Sequence, residues 1–88
     1  MVPVVVLDKQ TGRVQSSPEI VTRGFAGESG ARLLEEAGRL LLETVEARPE
    51  EERLDPALTR ERVRAELRRF FRKRAQRRPM VIPVVMEV

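Results

Sequence analysis

Two apolar runs bracket this chain, and two amphipathic stretches lie between them. Val2–Leu7 is almost unbroken Val and Leu, too short for a helix and rich in β-branched residues, so it predicts a buried strand. Pro3 lacks an N–H and belongs at a strand start or on an edge. Asp8-Lys9-Gln10-Thr11-Gly12 reads as a hairpin connection, with Gly12 supplying a positive φ at its end. Arg13–Ser16 returns as a strand, Ser17-Pro18 interrupts it, and Ile20–Phe25 resumes it, so the second strand is expected over 13–25 with a break. Gly24, Gly27 and Gly30 mark the end of the β region.

The period then changes from strand to helix. Leu33, Leu34, Ala37, Leu40, Leu41 and Val45 fall on one face of a helix expected over 30–47, with Ser29 as its N-cap and Pro49 beyond its end. Glu50–Leu54 reads as an acidic linker. Asp55-Pro56 and Thr59 are competing starts for a second helix, placed at about 59–77, whose core stripe is Val63, Leu67, Phe70 and Phe71. Residues 80–87 form a last apolar strand, with Pro83 at an edge or a bulge. The expected fold class is α+β, in the order β-β-α-α-β: a small three-stranded sheet covered on one face by two helices.

Length and composition narrow the function. Eighty-eight residues, 41% hydrophobic and 35% charged, support a single domain over 1–88 with one modest core and little room for an enzyme cleft. The absence of His and Cys removes the usual zinc ligands, the commonest general base and the thiol nucleophile. It also removes disulfides, which fits a reducing compartment. No apolar run approaches the ~20 residues of a membrane span, and the N-terminus lacks a signal-peptide pattern. A cytoplasmic protein is expected. Ser16-Ser17 and Ser29 have no partner base and read as turn and cap residues. Glu50-Glu51-Glu52 reads as solvated, and Phe25 of Arg23-Gly24-Phe25 as a core residue beside a strand-end glycine.

Charge is divided along the chain. The net +3 conceals a stretch at 28–59 with four basic and nine acidic residues, net −5. It is followed by one at 60–78 with ten basic and two acidic residues, net +8. With Leu67 facing the core, Arg62, Arg69, Arg72 and Lys73 point away from it, Arg68 lies on the flank, and Arg74 falls near the core direction. Like-charge i,i+4 pairs such as Arg68–Arg72 cost about 0.2–0.5 kcal/mol each. Cations in the last turn recover about 0.3–1 kcal/mol from the macrodipole. Stability therefore neither demands nor forbids the cluster. A solvated face, the acidic stretch of a second copy or of its own chain, and RNA phosphates all suit it. No aromatic is interleaved on the outer face, so any RNA contact would be to the backbone and without base stacking.

Two motifs carry a resemblance. Ser17-Pro18-Glu19-Ile20-Val21-Thr22-Arg23-Gly24-Phe25 resembles the P-[DE]-I-[IV]-[ST]-R-G-F segment of bacterial ribonuclease J. Arg77-Arg78-Pro79-Met80-Val81-Ile82-Pro83-Val84-Val85-Met86-Glu87-Val88 resembles that family's R-R-P-M-[IV]-[IL]-P-V-[IV]-M-E-V ending. The Asp8–Gly12 turn after a Val-rich strand fits as well, and the resemblance covers nearly the whole chain. It implies the small C-terminal domain of a metallo-β-lactamase/β-CASP ribonuclease. Such an enzyme acts as a 5′→3′ exonuclease and as an endonuclease in RNA processing and decay. Its two metal ions, commonly zinc, are held by His and Asp motifs of the preceding catalytic domains, a long chain before Met1. The resemblance implies a three-stranded sheet under two helices, a homo-oligomeric parent (dimer or tetramer), the catalytic domains as partners and RNA as substrate. Two functions follow: an assembly module without catalytic residues, or an auxiliary RNA-backbone surface through Arg62, Arg69, Arg72 and Lys73. A third class, an independent KH-like protein, is opposed by the lack of a G-x-x-G loop between the helices.

Overall fold

The computed structural model describes residues 1–22, 27–76 and 78–88, with backbone alone at 27–29. Six elements follow one another: β1 (Val2–Leu7), β2 (Glu19–Val21), α1 (Gly27–Glu46), α2 (Glu50–Arg53), α3 (Pro56–Ala75) and β3 (Val84–Glu87). The strands form one mixed sheet in the order β2-β1-β3. β2 runs antiparallel to β1, pairing Val2 with Val21 and Val4 with Glu19. β3 runs parallel to β1, pairing Val4 with Val84 and Val6 with Met86. A parallel neighbour needs a long crossover, and the helices supply it.

Side chains alternate across a strand, so β1 divides its apolar run between two faces. Pro3, Val5 and Leu7 are buried towards the helices, whereas Val2, Val4 and Val6 are half-buried on the far side. Val5 and Leu7 join Ala37, Leu41 and Val45 of α1, Val63, Leu67 and Phe71 of α3, and Val81 in one core. Leu33, Leu34, Ile20, Phe70 and Val85 pack around it. The predicted helix stripes thus supply the core, with Leu33, Leu34 and Phe70 packed at its margin, whereas Leu40 is half-buried outside it.

Several expected boundaries move. The second strand is not continuous over 13–25. Val14 makes an isolated bridge to Leu7, and the Gln15 N–H donates to the Val6 carbonyl at 2.8 Å. The ladder resumes only at Glu19 and in a register shifted by two residues, since Leu7 faces Val14 but Val4 faces Glu19. Arg23, Gly24 and Phe25, and with them the expected burial of Phe25, lie outside the described residues.

The last strand begins at Val84 rather than at 80. Its pairing with β1 starts earlier: the Met1 amine donates to Met80 O at 2.9 Å, and Ile82 N–H to Met1 O at 3.0 Å. These bonds aim the odd positions of β1 at β3, so Pro3 is the position that leaves Ile82 O without a donor and breaks the ladder. Pro3 thus lies near the start of the central strand, not on an edge. Pro83 lies just before the edge strand, as expected.

The first helix starts at Gly27, so Ser29 falls inside it rather than ahead of it. The linker expected at Glu50–Leu54 contains a single helical turn, α2, in which Glu52 pairs with Arg48 at 2.6 Å. The second long helix spans 56–75, not 59–77. Asp55 caps it, accepting from the Ala57 and Leu58 N–H groups at 3.1 and 3.2 Å, with Pro56 in the first turn. Thr59 is buried inside the helix and turns its hydroxyl back to Asp55 O at 3.0 Å. The helix ends where Gln76 takes the left-handed conformation at φ 51°. Asp55→Ala is expected to cost about 1 kcal/mol, the usual loss for an N-cap, measured by urea unfolding followed through helix ellipticity.

The turn after β1 is built on Asp8. Its carboxylate accepts from Gln10 N–H at 2.8 Å and Thr11 N–H at 3.0 Å, and Gly12 N–H closes on Asp8 O at 2.7 Å. The Thr11 N–H first, then that of Gln10, holds the Asp8 carboxyl below the usual carboxylate range, because both bonds favour the ionised form. Gly12 adopts φ 72°.

Candidate nucleic-acid interface and open sheet face

α3 places its cations according to helical spacing. Val63, Leu67 and Phe71 are buried, and Arg62, Arg69, Arg72 and Lys73 are all exposed. None of these four makes an ion pair among the described residues. By 100° steps Arg62, Arg69 and Lys73 form one stripe, with Arg72 offset towards Arg68. Neighbouring arginines behave differently. Arg64 pairs with Glu61 at 2.6 Å. Arg74, expected near the core direction, crosses to α1: it pairs with Glu36 at 2.5 Å and lies over the Phe70 ring at 5.6 Å. The Phe70 and Phe71 rings meet edge to face, 5.1 Å apart, so both aromatics belong to packing and neither joins the basic stripe.

A second basic feature needs the tertiary structure. Arg68, Arg72, Arg78, Pro79 and Met80 line a hollow of about 560 Å³ beside α3. Arg72 belongs both to this hollow and to the outer basic face. Helical spacing gave Arg68 only a flank position, and Arg78 belongs to no helix. The one sequence signal that joins them is the continuation of the basic run through Arg77-Arg78.

The sheet face away from the helices is apolar and, among the described residues, largely open. Val2, Val4 and Val6 run along its middle, Val21 (59% exposed) stands on β2, and Ile82 (53%), Val84 and Met86 (50%) stand on the β3 side. Glu19 is the charged residue in register with Val4. An antiparallel sheet with one wet face normally alternates apolar and polar residues. Here the runs at both chain ends are apolar on both faces. That pattern, together with helices enough for only one face, was the available signal for this surface.

No metal-binding cluster is assembled among the described residues. The zinc pair implied by the resemblance finds no ligands in this chain. It has no His or Cys, and among the described residues no group of three or more His, Cys, Asp and Glu is placed to hold an ion. A hollow of about 610 Å³ between β2 and α1 is lined by Pro18, Ile20, Leu34, Gly38 and Leu42 together with the charged Glu19, Glu35 and Arg39, with Ser17 beside them. No helix of the described residues is long and apolar enough to cross a membrane.

Fold and surfaces together define a small α+β unit with an exposed basic helix face and an apolar sheet face. Residues 1–88 match the family described as the Ribonuclease J C-terminal domain, and the chain belongs to that family. It is 33% identical over 89 residues to "Ribonuclease J2" of Bacillus subtilis (strain 168), covering 100% of this chain and 16% of that protein. It is 34% identical over 88 residues to "Ribonuclease J 2" of Staphylococcus aureus (strain NCTC 8325 / PS 47), covering 99% of this chain and 16% of that one. The chain therefore spans 16% of the length of these curated relatives.

Proposed function

We propose that this domain supports the assembly and activity of the catalytic core of a ribonuclease J, a metal-dependent 5′→3′ exo- and endoribonuclease of RNA processing and decay. The parent would act in the cytoplasm on RNA, with its metal ions, commonly zinc, in the catalytic domains. This domain contributes contacts, not chemistry.

One observation carries this reading: the uncovered apolar face of Val2, Val4, Val6, Val21, Ile82, Val84 and Met86. Contiguous apolar patches of this kind mark interaction sites. The occupant we assign is the same face of a second copy, because a self-complementary patch closes about a two-fold axis. The free edge of β3 is a weaker candidate. The bonds from Ile82 and Val88 N–H to β1 turn the odd positions outward, and there Pro83 has no donor and Glu87 brings a charge. Both features blunt strand addition.

Sedimentation equilibrium over a wide protein concentration range tests the reading. The wild-type chain should dimerise and remain dimeric at high salt, since apolar burial is not screened. Ile82→Glu/Met86→Glu, at two exposed positions, should be monomeric while keeping its helix content. A wild type that stays monomeric throughout overturns self-association by this domain.

A second reading, direct RNA contact, is supported by the exposed Arg62, Arg69, Arg72 and Lys73, which have no ion-pair partner among the described residues. These four would touch phosphates and not bases.

A further inference from the structure

We propose that Arg68, Arg72 and Arg78 form a phosphate-binding site for the backbone of an RNA strand, entered from the outer face of α3. This rests on the reading of α3 as an RNA-contacting helix and adds a defined seat to it. The three guanidinium groups come from two parts of the chain. Arg68 and Arg72 stand one turn apart on α3, and Arg78, beyond the left-handed Gln76 that ends the helix, lines the same hollow. They line one hollow of about 560 Å³ that has no carboxylate among its described lining residues.

That lack of an acid distinguishes this cluster from its neighbours. Arg64 and Arg74, on the same helix, each reach a carboxylate, Glu61 and Glu36. Arg48 reaches Glu52. Arg68, Arg72 and Arg78 make no such pair among the described residues. Like charges gathered in a concavity focus a positive potential there. Arginine's planar fork matches two oxygens of a phosphate at once.

The wall of the hollow and its surroundings point to a polynucleotide rather than an isolated anion. Pro79 and Met80, the latter 73% exposed, add apolar surface beside the cations, suited to a ribose or base edge. Arg72 links the hollow to Arg69, Lys73 and Arg62. Arg62 and Arg72 are ten positions apart, about 15 Å along the helix, which leaves room for further phosphates of the same strand.

The test is fluorescence anisotropy of a labelled single-stranded RNA with the 88-residue chain, between about 50 and 200 mM salt. Arg68→Gln/Arg72→Gln/Arg78→Gln is compared with Arg62→Gln/Arg69→Gln/Lys73→Gln. The hollow variant should weaken binding by about tenfold or more, the loss of at least one charge-assisted hydrogen bond. It should also lower the slope of log affinity against log salt by about 0.7, one phosphate released. Arg→Lys at the same three positions should keep the slope and recover only part of the affinity, since charge remains and the fork is lost. Arg78→Gln alone, outside any helix, gives the same direction if the triple variant loses ellipticity. If the hollow variants bind like wild type while the stripe variant fails, the site is overturned and RNA contact by α3 stands. If the wild-type chain shows no salt-dependent RNA binding, that reading falls and the site falls with it.

Discussion

Phe71→Ala is expected to destabilise the domain by about 3–5 kcal/mol, the range for removing a buried phenyl ring and leaving a cavity. Phe71 is the largest of the fully buried side chains among the described residues and sits on the face of α3 that meets the core. Its ring also meets Phe70 edge to face at 5.1 Å, a contact that truncation removes. A chain of this size has a total stability of about 4–13 kcal/mol at ordinary values per residue. The variant should therefore lose much of its margin. Each kcal/mol lowers the midpoint of a small domain by about 4–8 °C, so Tm should fall by more than about 12 °C. Urea and thermal unfolding followed by ellipticity measure this. A loss below about 1 kcal/mol would mean that the site collapses around the missing ring and that α3 is held mainly by Leu67 and Val63. The functional consequence is geometric: the ring anchors the helix whose opposite side carries Arg62, Arg69, Arg72 and Lys73.

Gly12→Ala is expected to cost about 2–5 kcal/mol, from two sources that act together. Gly12 holds φ 72°, where an L-residue pays about 1–2 kcal/mol. A Cβ placed there would also lie 2.7 Å from Arg53 Cβ and 3.0 Å from the Arg53 carbonyl carbon. Neither is the free end of a flexible chain. Arg53 is further held by its guanidinium, which donates to Arg48 O at 2.7 Å. Relieving such a clash by moving backbone costs about 1–3 kcal/mol. The turn after β1 would have to separate from α2. Gly12→Asn, which tolerates the left-handed region but still carries a Cβ, should recover the conformational part only. Denaturant midpoints for the three proteins resolve the two contributions. Equal stability of Asn and Gly at this position would show that the contact with Arg53 yields without cost.

Much of the fold was legible because periodicity reports burial directly. The stripe of Ala37, Leu41 and Val45 and that of Val63, Leu67 and Phe71 face the core as spaced. The Asp8–Gly12 turn was legible from residue chemistry, since Asp accepts from the N–H groups two and three residues on. Boundaries were less so. Asp55 and Thr59 are both plausible caps, and the choice fell to Asp55 because Thr59 is drawn into the buried side of the helix. The break before β3 was hidden because its cause, Pro3, is about eighty residues away in sequence.

The candidate surfaces divide in the same way. Exposure of Arg62, Arg69, Arg72 and Lys73 follows from the 100° step once Leu67 is inward, so a single helix determines it. Convergence of Arg78 on Arg68 and Arg72 follows a helix end at the left-handed Gln76, which is not a glycine and gives no local warning. The open sheet face depends on the order β2-β1-β3 and on both helices covering the same side. What the sequence by itself determined is therefore local: which residues are helical, which are extended, which face of each is apolar, and where charge accumulates. The tertiary structure decided which strands are neighbours, which apolar face stays uncovered and which cations share a hollow. Those outcomes rest on contacts between residues far apart in the chain, and neither periodicity nor local turn chemistry carries information about such contacts.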